Sequence, residues 1–93
     1  MSGVLTAQSV PVLRRGIRRH FDAARGQNVL QCPERVILLD EIADAIVALC
    51  DGQHDIAAIS AGLAQRYAAD VALVQADVTE FIAGLLEKQV VAV

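Results

Sequence analysis

The spacing of apolar residues changes period along the chain. Between Gly16 and Asp22 it alternates: Ile17, Arg19 and Phe21 lie to one side, Arg18, His20 and Asp22 to the other, and the stretch predicts a strand. Arg19 spoils the apolar side, and its long stem is expected to carry the charge past the sheet edge. The turn "AARGQ" and the short run "NVLQC" follow, so the two strands read as a hairpin. Pro33 interrupts the second strand, and "RVILL" predicts a third. From Asp40 the spacing is helical. The Asp40 carboxylate suits an N-cap, and Glu41 and Asp44 suit the positive end of the dipole. Leu39, Ile42, Ile46, Leu49 and Cys50 form the apolar face of this first helix, which stops at Asp51-Gly52. Asp55 caps a second helix with Ile56, Ile59, Leu63 and Tyr67 inward. A third begins near Asp70, with Val71, Val74, Val78, Phe81, Ile82 and Leu85 on one stripe.

Strands followed by helices predict an α+β domain, winged-helix-like, with a three-stranded antiparallel sheet followed by a three-helix bundle. Residues 1–12 are weakly patterned and contain Gly3 and Pro11, which predicts a loose arm before a single domain over 13–93. The tail Val90–Val93 is apolar enough to add a strand or to pack on a neighbour. One stretch resists this scheme. Val36-Ile37-Leu38-Leu39 is apolar on both faces, whereas a strand of a small sheet normally turns one face to water.

Composition narrows the function. Hydrophobic residues make up 55% of the 93, yet only three residues are aromatic, which favours close packing of short helices over an aromatic-lined pocket. No apolar run reaches the ~18 residues of a membrane span, and the start lacks the basic and apolar regions of a secretory signal. A cytoplasmic protein is expected. Cys32 and Cys50 match no zinc spacing, and a small secreted domain would carry more cysteines, so both are read as inert packing. The net charge of −3 is unevenly spread. Through Arg35 six arginines face two carboxylates, and beyond it two cations face nine carboxylates.

Chemistry is scarce. The chain has no glycine-rich phosphate loop, nucleophile elbow or Cys/His cluster. His20 and His54 stand in different elements without a partner at triad or ligand spacing, and helix caps account for several of the carboxylates Asp40, Glu41, Asp44, Asp51 and Asp55. No catalytic residue, metal site or cofactor is expected. A DNA-reading helix needs cationic or amide side chains on its outer face, but the third helix sets Asp77, Glu80 and Glu87 against Lys88. A carrier domain needs an exposed serine at a helix start, and Ser60 lies inside the second helix.

From about Pro11 to Leu86 the chain resembles the PqqD family of pyrroloquinoline quinone (PQQ) biosynthesis. The resemblance is carried by Pro33-Glu34 before the apolar strand, Leu39-Asp40, Cys50-Asp51-Gly52, Ile56 with Ile59, Arg66-Tyr67, Asp77-Val78 and Phe81. Asp55 stands where such sequences often have Ser or Thr, and its capping chemistry is equivalent. The resemblance implies a noncatalytic peptide chaperone. It would bind the ribosomal precursor peptide PqqA and present it to the radical S-adenosylmethionine enzyme PqqE. Related recognition elements take a leader peptide as an added strand beside the third helix. Peptide contacts would then be Val36, Ile37 and Leu38 on the strand, with Val74, Asp77, Val78 and Phe81 on the helix. That arrangement would explain a strand apolar on both faces. Arg14, Arg15, Arg18 and Arg19 would steer an acidic partner or simply solubilise the hairpin. The alternative is a homodimerising regulatory domain of winged-helix style, with a second copy on the same edge or on the flexible arm. Monomer and homodimer both remain open, and binding to nucleic acid or membrane is not expected.

Overall fold

The computed structural model describes residues 5–93. Its elements are β1 (Val12–Leu13), β2 (Arg18–Asp22), β3 (Gln27–Gln31), β4 (Val36–Leu38), α1 (Glu41–Ala48), α2 (Ile56–Arg66), α3 (Val71–Glu87) and β5 (Val91–Ala92). β2, β3 and β4 form an antiparallel sheet in that order, and three helices follow, so the α+β expectation holds. β1 and β5 form a separate two-stranded antiparallel ribbon, with Val12 opposite Ala92 and Leu13 opposite Val91. The apolar tail therefore does add a strand, to a partner near the other end of the chain.

Each helix starts where an aspartate can hold its first free amides. Asp40 accepts from the Ala43 N–H at 2.8 Å, Asp55 from Ala58 at 2.7 Å, and Asp70 from Ala72 and Leu73 at 2.8 and 3.3 Å. At α2 the job is shared. The Ile56 and Ala57 N–H groups donate to the carbonyls of Ser9 and Ala7 at 3.0 and 2.9 Å. Those carbonyls satisfy amides that the Asp55 cap cannot reach.

The stretch expected to be a loose arm is thus tied down from residue 7 onward. Gly52 N–H donates to the Pro11 carbonyl, Leu13 N–H to that of Cys50, and the Pro11 side chain is fully buried. These are main-chain contacts, which leave no mark in an apolar pattern. Residues 1–4 of the arm lie outside the described residues. Gly52 enters this junction with φ +78°, and a Cβ there would meet Val12 Cγ2 at 3.4 Å, so the turn favours glycine.

The core lies between the helices and one face of the sheet. Leu30 and Leu39 meet Ile46, Val47 and Cys50 of the α1 region, Ile56, Ile59 and Leu63 of α2, Val78, Ile82 and Leu85 of α3, and Val90 and Val91 of the tail. The structure corrects the first helix. Ile42 is 46% exposed, and the buried face is Ala45, Ile46, Val47 and Cys50, with Ala43 packed at its rim. Val71, at the start of the α3 stripe, is also exposed, because the stripe meets the core only from Val74 onward. Arg19 does point to the helical face. There it meets Asp44 of α1 through two hydrogen bonds of 2.6 and 3.0 Å, rather than leaving past the sheet edge.

α2 and α3 end in the same way. Ala69 N–H reaches back to the Ala64 carbonyl and Val90 N–H to that of Leu85, and the intervening Ala68 and Gln89 take φ of 52° and 61°. A left-handed alanine is strained by its Cβ. Ala68→Gly is expected to stabilise the fold by about 0.5–1 kcal/mol in urea denaturation, the relief of strain being partly offset by the freer unfolded chain. Ile59→Ala, at a fully buried position, is expected to cost about 2–5 kcal/mol in the same measurement.

Candidate functional site

A three-stranded sheet has two edges, and here they differ. β2, at one edge, presents Arg18, Arg19, His20 and Asp22 among its five residues, and Arg19 is clasped to α1. Charged side chains of this kind discourage pairing with another chain. β4, at the other edge, holds only Val36, Ile37 and Leu38.

The ladder decides which backbone groups of β4 are free. Cys32 N–H donates to the Arg35 carbonyl at 2.9 Å and Leu39 N–H to that of Asn28 at 3.0 Å. Leu30 lies opposite Ile37. Hydrogen-bonded positions alternate in an antiparallel pair, so Arg35, Ile37 and Leu39 turn their N–H and C=O groups toward β3. Val36 and Leu38 turn theirs outward. No strand among the described residues takes them up.

The side chains alternate as well. Ile37 and Leu39 lie on the helical face, the first half-buried against the core and the second 2% exposed. Val36 and Leu38 lie on the opposite face and are 41% and 54% exposed. Their cross-strand neighbour Val29 is nonetheless buried at the centre of that face, between His20 and Leu38. The four-residue apolar run thus has one half in the core and the other half on an open edge. This accounts for an apolar run that a strand with one wet face would not carry.

On α3, Val74, Asp77 and Phe81 share one flank at helical spacing, beside the buried row Val78, Ile82 and Leu85. Val74 and Phe81 are half-buried and pack at the rim of the same core that Ile37 joins, and Asp77 is exposed. Val78 is only 1% exposed, so it serves the core and offers no surface. Val36, Ile37 and Leu38 with Val74, Asp77 and Phe81 are therefore the members of the expected set that present surface.

A link that the sequence reading did not single out ties the two elements together. The Arg35 guanidinium donates from Nη2 to the carbonyl of Lys88, the C-cap of α3, at 2.7 Å. It fastens the start of β4 to the end of α3. The two residues are 53 apart in sequence, so no local pattern could reveal the contact.

No catalytic constellation accompanies this edge. No group of three or more potential metal-ligating side chains occurs among the described residues. His54 Nδ1 lies 3.0 Å from Asp51 Oδ1 in an exposed loop. The Gln53 N–H and then His54 hold the Asp51 carboxyl below its usual range. Both cysteines are free. Cys50 is buried, its thiol donates to the Ile46 carbonyl, and burial first, then the nearby Asp51, pushes it up to about 12. No helix among the described residues is long and apolar enough to cross a membrane.

Comparison with known proteins identifies the company this chain keeps. The family model "Coenzyme PQQ synthesis protein D (PqqD)" matches residues 27–91. The PqqA binding protein of Xanthomonas oryzae pv. oryzae (strain PXO99A) is 44% identical over 85 residues, covering 91% of this chain and 92% of that one. The bifunctional coenzyme PQQ synthesis protein C/D of Methylorubrum extorquens is 41% identical over 85 residues, and the match spans 23% of that longer protein. Among solved structures, the PqqD truncation of Methylobacterium extorquens PqqCD, seen by solution NMR, superposes with a TM-score of 0.83 at 39% identity. The match covers 96% of this chain and 95% of that one. That protein is described as a functional, stand-alone recognition element for ribosomally synthesized and post-translationally modified peptides.

Two outcomes follow from the geometry. In amide hydrogen exchange followed by NMR, Ile37 and Leu39 should be protected and Val36 and Leu38 should exchange far faster. Equal protection of all four would mean that the edge is covered, for example by a second copy. In a thiol titration near pH 8, Cys50 should react only on unfolding, because its thiolate fraction is minute while it is buried.

Proposed function

The chain belongs to the PqqD family, and on that footing we propose that it is a noncatalytic peptide chaperone: it takes the precursor peptide PqqA as an added strand on β4 and presents it to the radical S-adenosylmethionine enzyme PqqE. The observation that carries the reading is the asymmetry of the sheet. One edge is charged, and the other offers two outward-facing residues with exposed apolar side chains.

An added strand would pair with the N–H and C=O groups of Val36 and Leu38. Main-chain pairing provides affinity with little demand on sequence, and the side chains on the two faces add selection. One set of peptide side chains would lie along Val36 and Leu38, the other along Ile37, Val74 and Phe81. Asp77 would stand at the rim. Binding by strand addition leaves much of the peptide's other edge and flanks uncovered, which suits presentation to a second protein. The chain itself would contribute no reacting group.

A homodimer formed through the same edge would compete with the peptide. DNA binding gains nothing from α3, whose Asp77, Glu80 and Glu87 are all exposed.

Titration of the isotope-labelled chain with synthetic PqqA peptide should move amide signals over Arg35–Leu39 and on the Val74–Phe81 flank of α3, leaving β2 still. Leu38→Pro should weaken binding well beyond Leu38→Ala, because it also removes an outward N–H while sparing the ladder to β3. Equal effects of the two substitutions, or shifts centred on β2, would sink the strand-addition reading. Adding PqqE to the complex should broaden the peptide's signals further if presentation is direct.

A further inference from the structure

A basic depression lies at the Arg35 end of β4. Arg14, Arg15, Arg35 and Lys88 border it, with Glu34 and Glu87 beside them. The four cations come from three distant parts of the chain, and hydrogen bonds to main-chain carbonyls bring them together. Arg14 N–H donates to the Val90 carbonyl at 3.0 Å, Cys32 N–H to that of Arg35 at 2.9 Å, and the Arg35 guanidinium to that of Lys88 at 2.7 Å. The charges are largely uncommitted. The ion pairs among the described residues are Arg19–Asp44, Arg25–Asp22 and His54–Asp51, and none involves these six side chains. With four cations against two carboxylates, the depression is positive in a chain whose net charge is −3. Arg35 spends one donor on Lys88 and keeps the rest of its planar fork for a carboxylate.

Position makes this more than a solubilising patch. Arg35 immediately precedes Val36, so a peptide strand paired along β4 that continues past Val36 runs into the depression. We infer that the depression receives carboxylate side chains of the bound peptide, from the residues just beyond the segment paired with β4. The inference rests on the strand-addition reading and deepens it. The apolar edge supplies pairing with little sequence preference, and the basic depression fixes register and direction by demanding acid at one end only. Of the arginines considered for steering, Arg14 and Arg15 take this part. Arg19 is spent on Asp44, and Arg18 lies on β2, outside the depression.

The test is fluorescence anisotropy with labelled synthetic PqqA peptide, and with the same peptide carrying Asn and Gln for every Asp and Glu and an amidated C-terminus. Arg14→Glu/Arg15→Glu should weaken the acidic peptide by about tenfold or more at low salt and much less at high salt. The amide peptide should change by no more than about twofold, as should both peptides with the control Arg18→Glu. Both arginines are exposed, and the milder Arg14→Gln/Arg15→Gln, checked by circular dichroism, should show a smaller loss in the same direction. Equal losses for the two peptides, or none for either, overturn the inference. So does binding of a duplex DNA fragment that the double variant abolishes while peptide affinity stays put. Leu38→Asp separates the two ideas. If it abolishes binding while the arginine variants do not, only the basic depression is refuted; if it has no effect, strand addition itself fails.

Discussion

A sheet of three strands cannot satisfy the main chain of its outer strands, and this constraint organises the molecule. Each edge must be hidden, guarded or used. The chain guards β2 with charge and with the Arg19–Asp44 clasp, and leaves β4 open with exposed apolar side chains. An exposed apolar edge is an aggregation hazard, so a protein that keeps one gains something from it. The brevity of β4, three residues with two outward-facing positions, limits that hazard. It also limits what the edge alone can bind, and this is why neighbouring surfaces on α3 and around Arg35 matter.

The helices hold the edge in place. Leu30 and Leu39 anchor the sheet to Ile46, Ile59, Val78 and Ile82, so the strand beside the open edge is seated on the buried core. The Arg35–Lys88 bond fixes the end of α3 against the start of β4. The candidate edge is therefore seated by packing under Leu39 and held at its Arg35 end by a hydrogen bond to α3.

Much of this was legible in the sequence where the signal is local. Asp40, Asp55 and Asp70 announce the three helices, because capping is a contact over two or three residues. The unbroken run Val36–Leu39 announced an unusual strand. Ile42 misled because the first helix is short, and a small shift in its facing lets Ala43 and Val47 turn inward while Ile42 turns out. Val78 misled in another way: spacing places it on the same side of α3 as Phe81, but only packing reveals that it is sealed. The docking of residues 7–13, the β1–β5 ribbon and the Arg35–Lys88 bond rest on main-chain groups or on partners far apart in sequence, which no periodicity encodes.

The ribbon of β1 and β5 has a bearing on architecture. Val12 and Ala92 are cross-strand partners, so the first and last strands of the fold lie side by side. A domain with neighbouring ends can be spliced into a longer polypeptide at either end, or within a loop of another domain, with little distortion. Neither β1 nor β5 pairs with β4, so that edge is left free by the ribbon. A catalytic domain tethered there would meet captured peptide at an effective concentration set by linker length rather than by chance encounter. The fold is thereby suited to work as a portable module, whether it diffuses alone or travels on an enzyme.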